Sequence, residues 1–205
     1  MKRMLSTIIA LVMIFSLAAC SHSKNTEETS DGKAARAVQG QEETMGTKTL
    51  VVYFSCSGTT KTLAEYAAES LGADLYEIVA EQPYTDEDLA YYTNGRADQE
   101  QEDPSVRPAI SGNVENMEEY DRIILGYPIW HGQAPRIIST FLESYDFSGK
   151  TILPFCTSHS SGIGSSADNL HSLCADSVTW LEGNRFGSET TKSEIESWLE
   201  EKWEN

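Results

Sequence analysis

Apolar and polar positions along the chain follow two alternating periods. Leu50-Val51-Val52-Tyr53-Phe54 is an unbroken apolar run, the pattern of a strand covered on both faces. A Ser/Gly/Thr turn follows, and Leu63, Ala67 and Leu71, flanked by Ala64 and Ala68, then recur at helical spacing. Residues 75–79 read as a second strand, 123–126 as a third and 152–156 as a fourth. Between the last two, Pro135 suits a first helical turn, and Ile138, Phe141, Leu142 and Tyr145 fall at helical spacing. A short helix over 165–174 leads to a fifth strand near 177–181. Thr191-x-x-Glu194 is a capping box that opens a last helix burying Ile195, Trp198, Leu199 and Trp203. Residues 81–120 break the rhythm: they are acidic, carry Tyr84, Tyr91, Tyr92 and Asn94-Gly95, and predict one helix ahead of Pro104.

Strands alternating with helices predict an α/β fold, a doubly wound five-stranded parallel sheet in the order 2-1-3-4-5. Ligands of such sheets bind over the carboxyl ends of the strands, here near strands 1 and 3.

The first residues have a different character. Lys2 and Arg3 precede an apolar stretch that closes on Leu17-Ala18-Ala19-Cys20, with the length of a secretory signal and too short for a membrane span. The string resembles a bacterial lipobox, which implies cleavage after residue 19 and a lipid on Cys20. Residues 21–47 hold almost no large apolar side chain and read as a flexible polar tether. The organisation expected is a signal peptide over 1–19, a lipidated cysteine and tether over 20–47, and one domain over 48–205, held outside the cytoplasm at the bacterial cell membrane.

Charge narrows the function. The chain carries 15 Lys and Arg against 32 Asp and Glu, a formal charge of −17. General nucleic-acid binding needs a basic face to replace phosphate counterions, so this balance argues against it. Four cysteines are too few for a disulfide scaffold, and no Cys/His spacing suggests zinc. No GxSxG elbow accompanies the histidines and serines, which argues against a serine hydrolase. Cys156 and Cys174 read as buried inert thiols, and Cys56, beside the turn where an anion is expected, as a packed thiol, the alternative being a thiol with a depressed pKa.

Candidate chemistry sits in three loops. Ser55-Cys56-Ser57-Gly58-Thr59-Thr60-Lys61 places four hydroxyls and a glycine at a helix N-terminus, where unpaired N–H groups favour an anion. It lacks the glycine and lysine spacing of a nucleotide-triphosphate loop. Lys61 either adds a cation there or is a solvated helix side chain. Strand 3 runs into Tyr127-Pro128-Ile129-Trp130-His131-Gly132, which brings an indole and an imidazole to the sheet edge and suits a flat aromatic ligand. Strand 4 ends in Thr157-Ser158-His159-Ser160-Ser161-Gly162, a polar loop that closes over the ligand's edge. Gly162-Ile163-Gly164-Ser165-Ser166-Ala167 also fits a dinucleotide pattern, but it lies five residues beyond the strand with no acid at a following strand end.

Together, residues 53–60, 120–130, 141–150 and 154–158 resemble the flavodoxin family, with similarity running over about residues 50–198. The resemblance implies non-covalent FMN. By position, Ser55, Ser57, Gly58, Thr59 and Thr60 would hold its phosphate, Pro128, Ile129, Trp130 and His131 would flank the ring system, and Thr157, Ser158 and Gly162 would meet the ring edge. His131 stands where many relatives place a second aromatic, and His159-Ser160 replaces a glycine pair. Two functions follow, an electron carrier docking to redox partner proteins, or an NAD(P)H-dependent reductase of small acceptors such as quinones. A binding module without redox use is a third.

Overall fold

The computed structural model describes residues 46–203. The signal peptide, Cys20 and nearly all of the tether read from the sequence lie outside the described residues. The chain forms β1 (Thr49–Tyr53), α1 (Thr59–Leu71), β2 (Asp74–Glu77), β3 (Val79–Ala80), α2 (Asp86–Leu89), α3 (Arg96–Glu102), β4 (Ile110–Ser111), β5 (Arg122–Pro128), α4 (Arg136–Glu143), β6 (Thr151–Thr157), β7 (Thr179–Trp180), β8 (Asn184–Phe186) and α5 (Lys192–Trp203). The main sheet is parallel, in the order β2-β1-β5-β6, with β7 and β8 sharing its last edge. Allowing for that shared position, this is the order 2-1-3-4-5, and the fold is flavodoxin-like. Among the described residues no helix is long and apolar enough to cross a membrane.

The unbroken apolar strands are explained by two cores. Leu50, Val52, Ile123, Leu125, Tyr127 and Ile152 face one way, against α4 and the short 3₁₀ helix over 168–173. Val51, Tyr53, Ile124, Leu153 and Phe155 face the other, against α1 and α5. Gly126 belongs to this second face, and a Cβ there would lie 2.3 Å from the Phe155 ring. The glycine lets that ring pack across the sheet.

The structure corrects several boundaries. Strand 2 ends at Glu77: the N–H of buried Ile78 donates to Tyr53 O at 2.7 Å, and Val79–Ala80 then pairs antiparallel with β4. Leu71 closes α1 facing solvent, and Trp203 is only partly buried, with Arg122 stacked 4.6 Å over its ring. Pro135 caps α4 instead of entering its first turn, and Tyr145 lies past the helix end, accepting the Val114 N–H at 2.7 Å.

The fifth strand is split in two. Three steps along β6 from Ile152 to Phe155 face four along the edge, from Trp180 to Asn184. Ile152 O accepts the Leu181 N–H at 2.9 Å, so the nitrogen of Pro154, two residues on, faces the same edge with no hydrogen to give. The extra residue bulges there, and at Gly183 a Cβ would sit 2.5 Å from Pro154 O.

Candidate functional site

The loop between β1 and α1 is built by its own hydroxyls. Ser55 Oγ accepts the Gly58 N–H at 3.1 Å, and Gly58 caps the helix with a left-handed φ of 88°. No side chain caps α1, and its first internal bond is donated by Thr62 to Gly58 O. The amides of Thr59, Thr60 and Lys61 therefore have no helical partner and sit at the positive end of a 13-residue helix. Thr60 turns inward, its Oγ1 lying 2.7 Å from Thr157 Oγ1 in a buried pair that ties α1 to the end of β6.

After β5, Trp130 and Gln133 exchange both backbone hydrogen bonds at 2.9 Å. His131 and Gly132 are the two residues of that turn, at φ 49° and 78°, the backbone of a tight hairpin turn with two left-handed positions. Trp130 is 8% exposed and meets Phe54 and Tyr84 at near right angles, 5.6 and 5.1 Å between ring centres. Gln101 on α3 donates to Trp130 O at 3.0 Å and so fixes the strand end.

The third loop is held from β8. Arg185 donates to the carbonyls of Ser158 and His159, and Ser158 Oγ donates to Ser161 O. A cleft of about 520 Å³ opens between the three loops, within the range of small-ligand pockets. Ser57, Thr59, Pro128, Ile129, Trp130, Thr157 and Ser158 line it, together with His159, Ser160 and Ser161.

Seven of the candidate residues thus meet around one cleft. Ser55, Gly58 and Thr60 stand behind it as builders of the loop, and Gly162 is not among its lining residues. His131 faces a neighbouring cavity instead. Cys20 lies outside the described residues.

Tyr91 and Ser188 also line the cleft and had no assignment in the sequence. Tyr91 comes from the irregular segment that the apolar pattern does not order. Its hydroxyl reaches Ile129 O and the His131 N–H, both at 3.4 Å. Ser188 follows β8, beyond the strand expected at 177–181. A tyrosine pair beside Asn94-Gly95 was the available signal for the first, and nothing signalled the second.

Ionisable groups nearby are tuned by burial and pairing. Burial works against the charged form of Asp98, yet hydrogen bonds from His131 and from the Asn94 amide outweigh it and hold the carboxyl below its usual range. Tyr84 donates to Glu100 at 2.5 Å while Arg96 lies 4.1 Å over its ring, and burial drives the phenol pKa upward. Burial raises the Cys56 thiol to about 11, Cys156 to about 12 and Cys174 to about 11. None is poised as a thiolate near neutral pH, and for Cys56 this holds although the residue is exposed. Among the described residues no group of three or more His, Cys, Asp or Glu could hold a metal ion.

A doubly wound sheet with an uncapped helix N-terminus and aromatic side chains around a cleft at its switch point defines a class of anion-and-ring-binding α/β proteins. The chain belongs to the flavodoxin family, whose model matches residues 48–202. Among solved structures it is similar to a protein from Bacteroides eggerthii described as a candidate flavoprotein, 43% identical over 75% of this chain and 96% of that one, TM-score 0.70. One of the same description from Bacteroides uniformis is 38% identical over 76% and 99%, TM-score 0.71. A flavoprotein from Lactobacillus acidophilus in complex with FMN is 25% identical over 75% and 99%, TM-score 0.58. No curated protein matches the chain.

Proposed function

We propose that this protein binds FMN non-covalently in the cleft and works as a redox protein held at the membrane by a lipid on Cys20. The observation that carries the reading is the open N-terminus of α1 at one end of the cleft. Three amides without helical partners, with Ser57 and Thr59 beside them, suit a phosphate dianion. Pro128, Trp130 and Tyr91 give the other end an aromatic and apolar wall for a flat ring. Family membership and the FMN-bound relative support the same ligand.

Bound FMN supplies the one- and two-electron chemistry. The chain's part is to hold and orient it, to limit water at the ring, and to set its potential. A chain of net charge −17 disfavours an anionic reduced ring and lowers that potential. Gly132 sits at φ 78° and tolerates dihedrals that other residues do not, so the peptide linking His131 to Gly132 can reorient toward a ring nitrogen. Electron transfer to protein partners is the first role. Reduction of a small acceptor is the second, and the cavity beside His131 favours it.

Titration of flavin fluorescence tests the assignment. Wild type should quench FMN and bind it far more tightly than riboflavin. Ser57→Ala/Thr59→Ala removes two hydroxyls from the phosphate end, at roughly 1.5–3 kcal/mol for each bond to a charged group, so FMN affinity should fall while riboflavin affinity stays. Equal losses for both flavins would make the loop a fold element with no phosphate role.

A further inference from the structure

Beside the cleft lies a second cavity of about 410 Å³, lined by Tyr92, Asn94, Asp98, Gln101, Glu102 and His131. Asp98 and His131 also line a smaller space of about 120 Å³, which shares Ser57, Tyr91, Pro128 and Trp130 with the cleft. The imidazole therefore stands between the proposed ring site and an outer pocket.

That imidazole is held as a proton donor would be. Nε2 lies 2.7 Å from Asp98 Oδ1, and Asp98 Oδ2 accepts the Asn94 N–H at 3.0 Å. Asp98 is 7% exposed. The rings of Tyr91 and Tyr92 flank the imidazole at 4.8 and 5.7 Å. Nδ1 has no hydrogen-bond partner among the described residues. An orienting carboxylate on one ring nitrogen, with the other left open, is the arrangement of an acid–base histidine.

The backbone around the pocket carries the same mark. Among the described residues four that are not glycine have a left-handed φ, and three of them border this cavity: Tyr92 at 60°, Asn94 at 61° and His131 at 49°. Such conformations persist where surrounding structure enforces them, and they gather at ligand sites.

We propose that this cavity is an acceptor site for neutral p-quinones, in which His131, positioned by Asp98, donates a proton to the carbonyl being reduced. The proposal rests on the flavin reading. A carrier that passes electrons alone has no use for an oriented proton donor, whereas a carbonyl acceptor does. Asp98 and Glu102 repel anions, and no Lys or Arg lines the pocket. Tyr92 is 86% exposed and offers its ring to a flat aromatic, and Asn94 lines the pocket beside it. Bound FMN, once reduced, would supply the hydride equivalent that the quinone takes up. One proton comes from the imidazolium, whose N–H bond breaks as the carbonyl O–H forms, and water reprotonates the ring. Quinone, hydride and proton sum to hydroquinone.

Groups facing His131 are Asp98 and Glu102 from α3, Tyr91 and Tyr92 from the segment before it, and Cys56 from the loop after β1. Glu100, on the same helix, is paired with Arg96 at 2.7 Å. The test compares oxidation of the photoreduced FMN-loaded protein by duroquinone and by ferricyanide, which needs no proton. His131→Gln should lose about 100-fold more of the duroquinone rate than of the ferricyanide rate. The wild-type duroquinone rate should fall at high pH where the ferricyanide rate does not, and the variant should lose that difference. Asp98→Asn should lower the duroquinone rate more than the ferricyanide rate, and His131→Asn should behave as His131→Gln. In the flavin-free protein, duroquinone should move the His131 ring resonance to saturation. FMN quenching, followed on the same samples, reads the flavin site separately. Wild type that leaves FMN unquenched takes down the flavin reading and the proposal with it. Wild type that quenches FMN but loses both rates equally in His131→Gln, or whose His131 resonance ignores duroquinone, keeps the flavin reading and overturns the proposal.

Discussion

The hydroxyls of Thr60 and Thr157 meet inside the protein, 2.7 Å apart, although the sequence offers both as ligand contacts. Four hydroxyls in seven residues point to an anion loop in the sequence, because their density exceeds what a turn and a cap require. Which of them turn inward depends on where β6 ends, a long-range fact with no local signal. Thr60→Val should leave the Thr157 hydroxyl buried without its partner, a loss of about 1–3 kcal/mol. Thr60→Val/Thr157→Val should recover part of that loss, as read from urea unfolding midpoints. Gly126 makes a second point at this scale. A methyl there would meet the Phe155 ring, so Gly126→Ala should cost about 1–3 kcal/mol through overpacking, in the same measurement. A glycine ending an apolar run announces a turn or a close approach, and the partner ring was hidden until strands were paired.

At the scale of elements, periodicity located every helix and strand that repeats its pattern over several residues. It placed β1, β5, β6 and α5 within a residue or two, and it recovered the order of the sheet. It failed on β3, β4 and β8, two or three residues each, and on the four-residue α2, since so short a piece has no period to read. The break between β7 and β8 comes from Pro154 on a different strand. The capping box was legible because its chemistry is local: Thr191 N–H donates to Glu194 Oε2 at 2.7 Å, and Glu194 N–H to Thr191 Oγ1 at 3.4 Å. The Thr191 N–H and the Thr191 hydroxyl, at 2.8 Å, both donate to the Glu194 carboxylate and hold it below its usual range. A depressed folded value means the contribution is present above the unfolded carboxylate pKa, about 4.3, and is lost as pH falls through the folded value. The stability gap between wild type and Glu194→Gln should therefore close as unfolding is followed from pH 6 down to pH 3.

At the scale of the molecule, the acidic balance bears on stability and the proposed lipid anchor on location. A net charge of −17 makes the domain repel itself, and salt screens that repulsion. The unfolding temperature should rise between about 10 and 150 mM NaCl, where the Debye length falls from about 30 to 8 Å. A fall would mean that paired surface charges outweigh the excess. If Cys20 carries lipid, wild type should fractionate with membranes and its mature N-terminus should begin at Cys20 by mass spectrometry. Cys20→Ala should be unprocessed as a lipoprotein, and an unmodified N-terminus elsewhere would remove the anchor. The domain was legible as flavodoxin-like because three loops, each ambiguous alone, occur in one order after three strands. The acceptor cavity was not legible. Asp98 and His131 lie 33 residues apart and are joined only when the irregular segment folds over the sheet edge.

The most direct measurement follows backbone amide and indole N–H resonances of the protein as flavin is added. FMN should give its largest shifts at the amides of Gly58, Thr59, Thr60 and Lys61 and at Trp130 and Tyr91, with protection of the α1 amides from exchange. Riboflavin, which lacks the phosphate, should move Trp130 and Tyr91 and leave the α1 amides in place. Shifts at α1 that are the same for both flavins, or none around the cleft with FMN at saturation, would contradict the account.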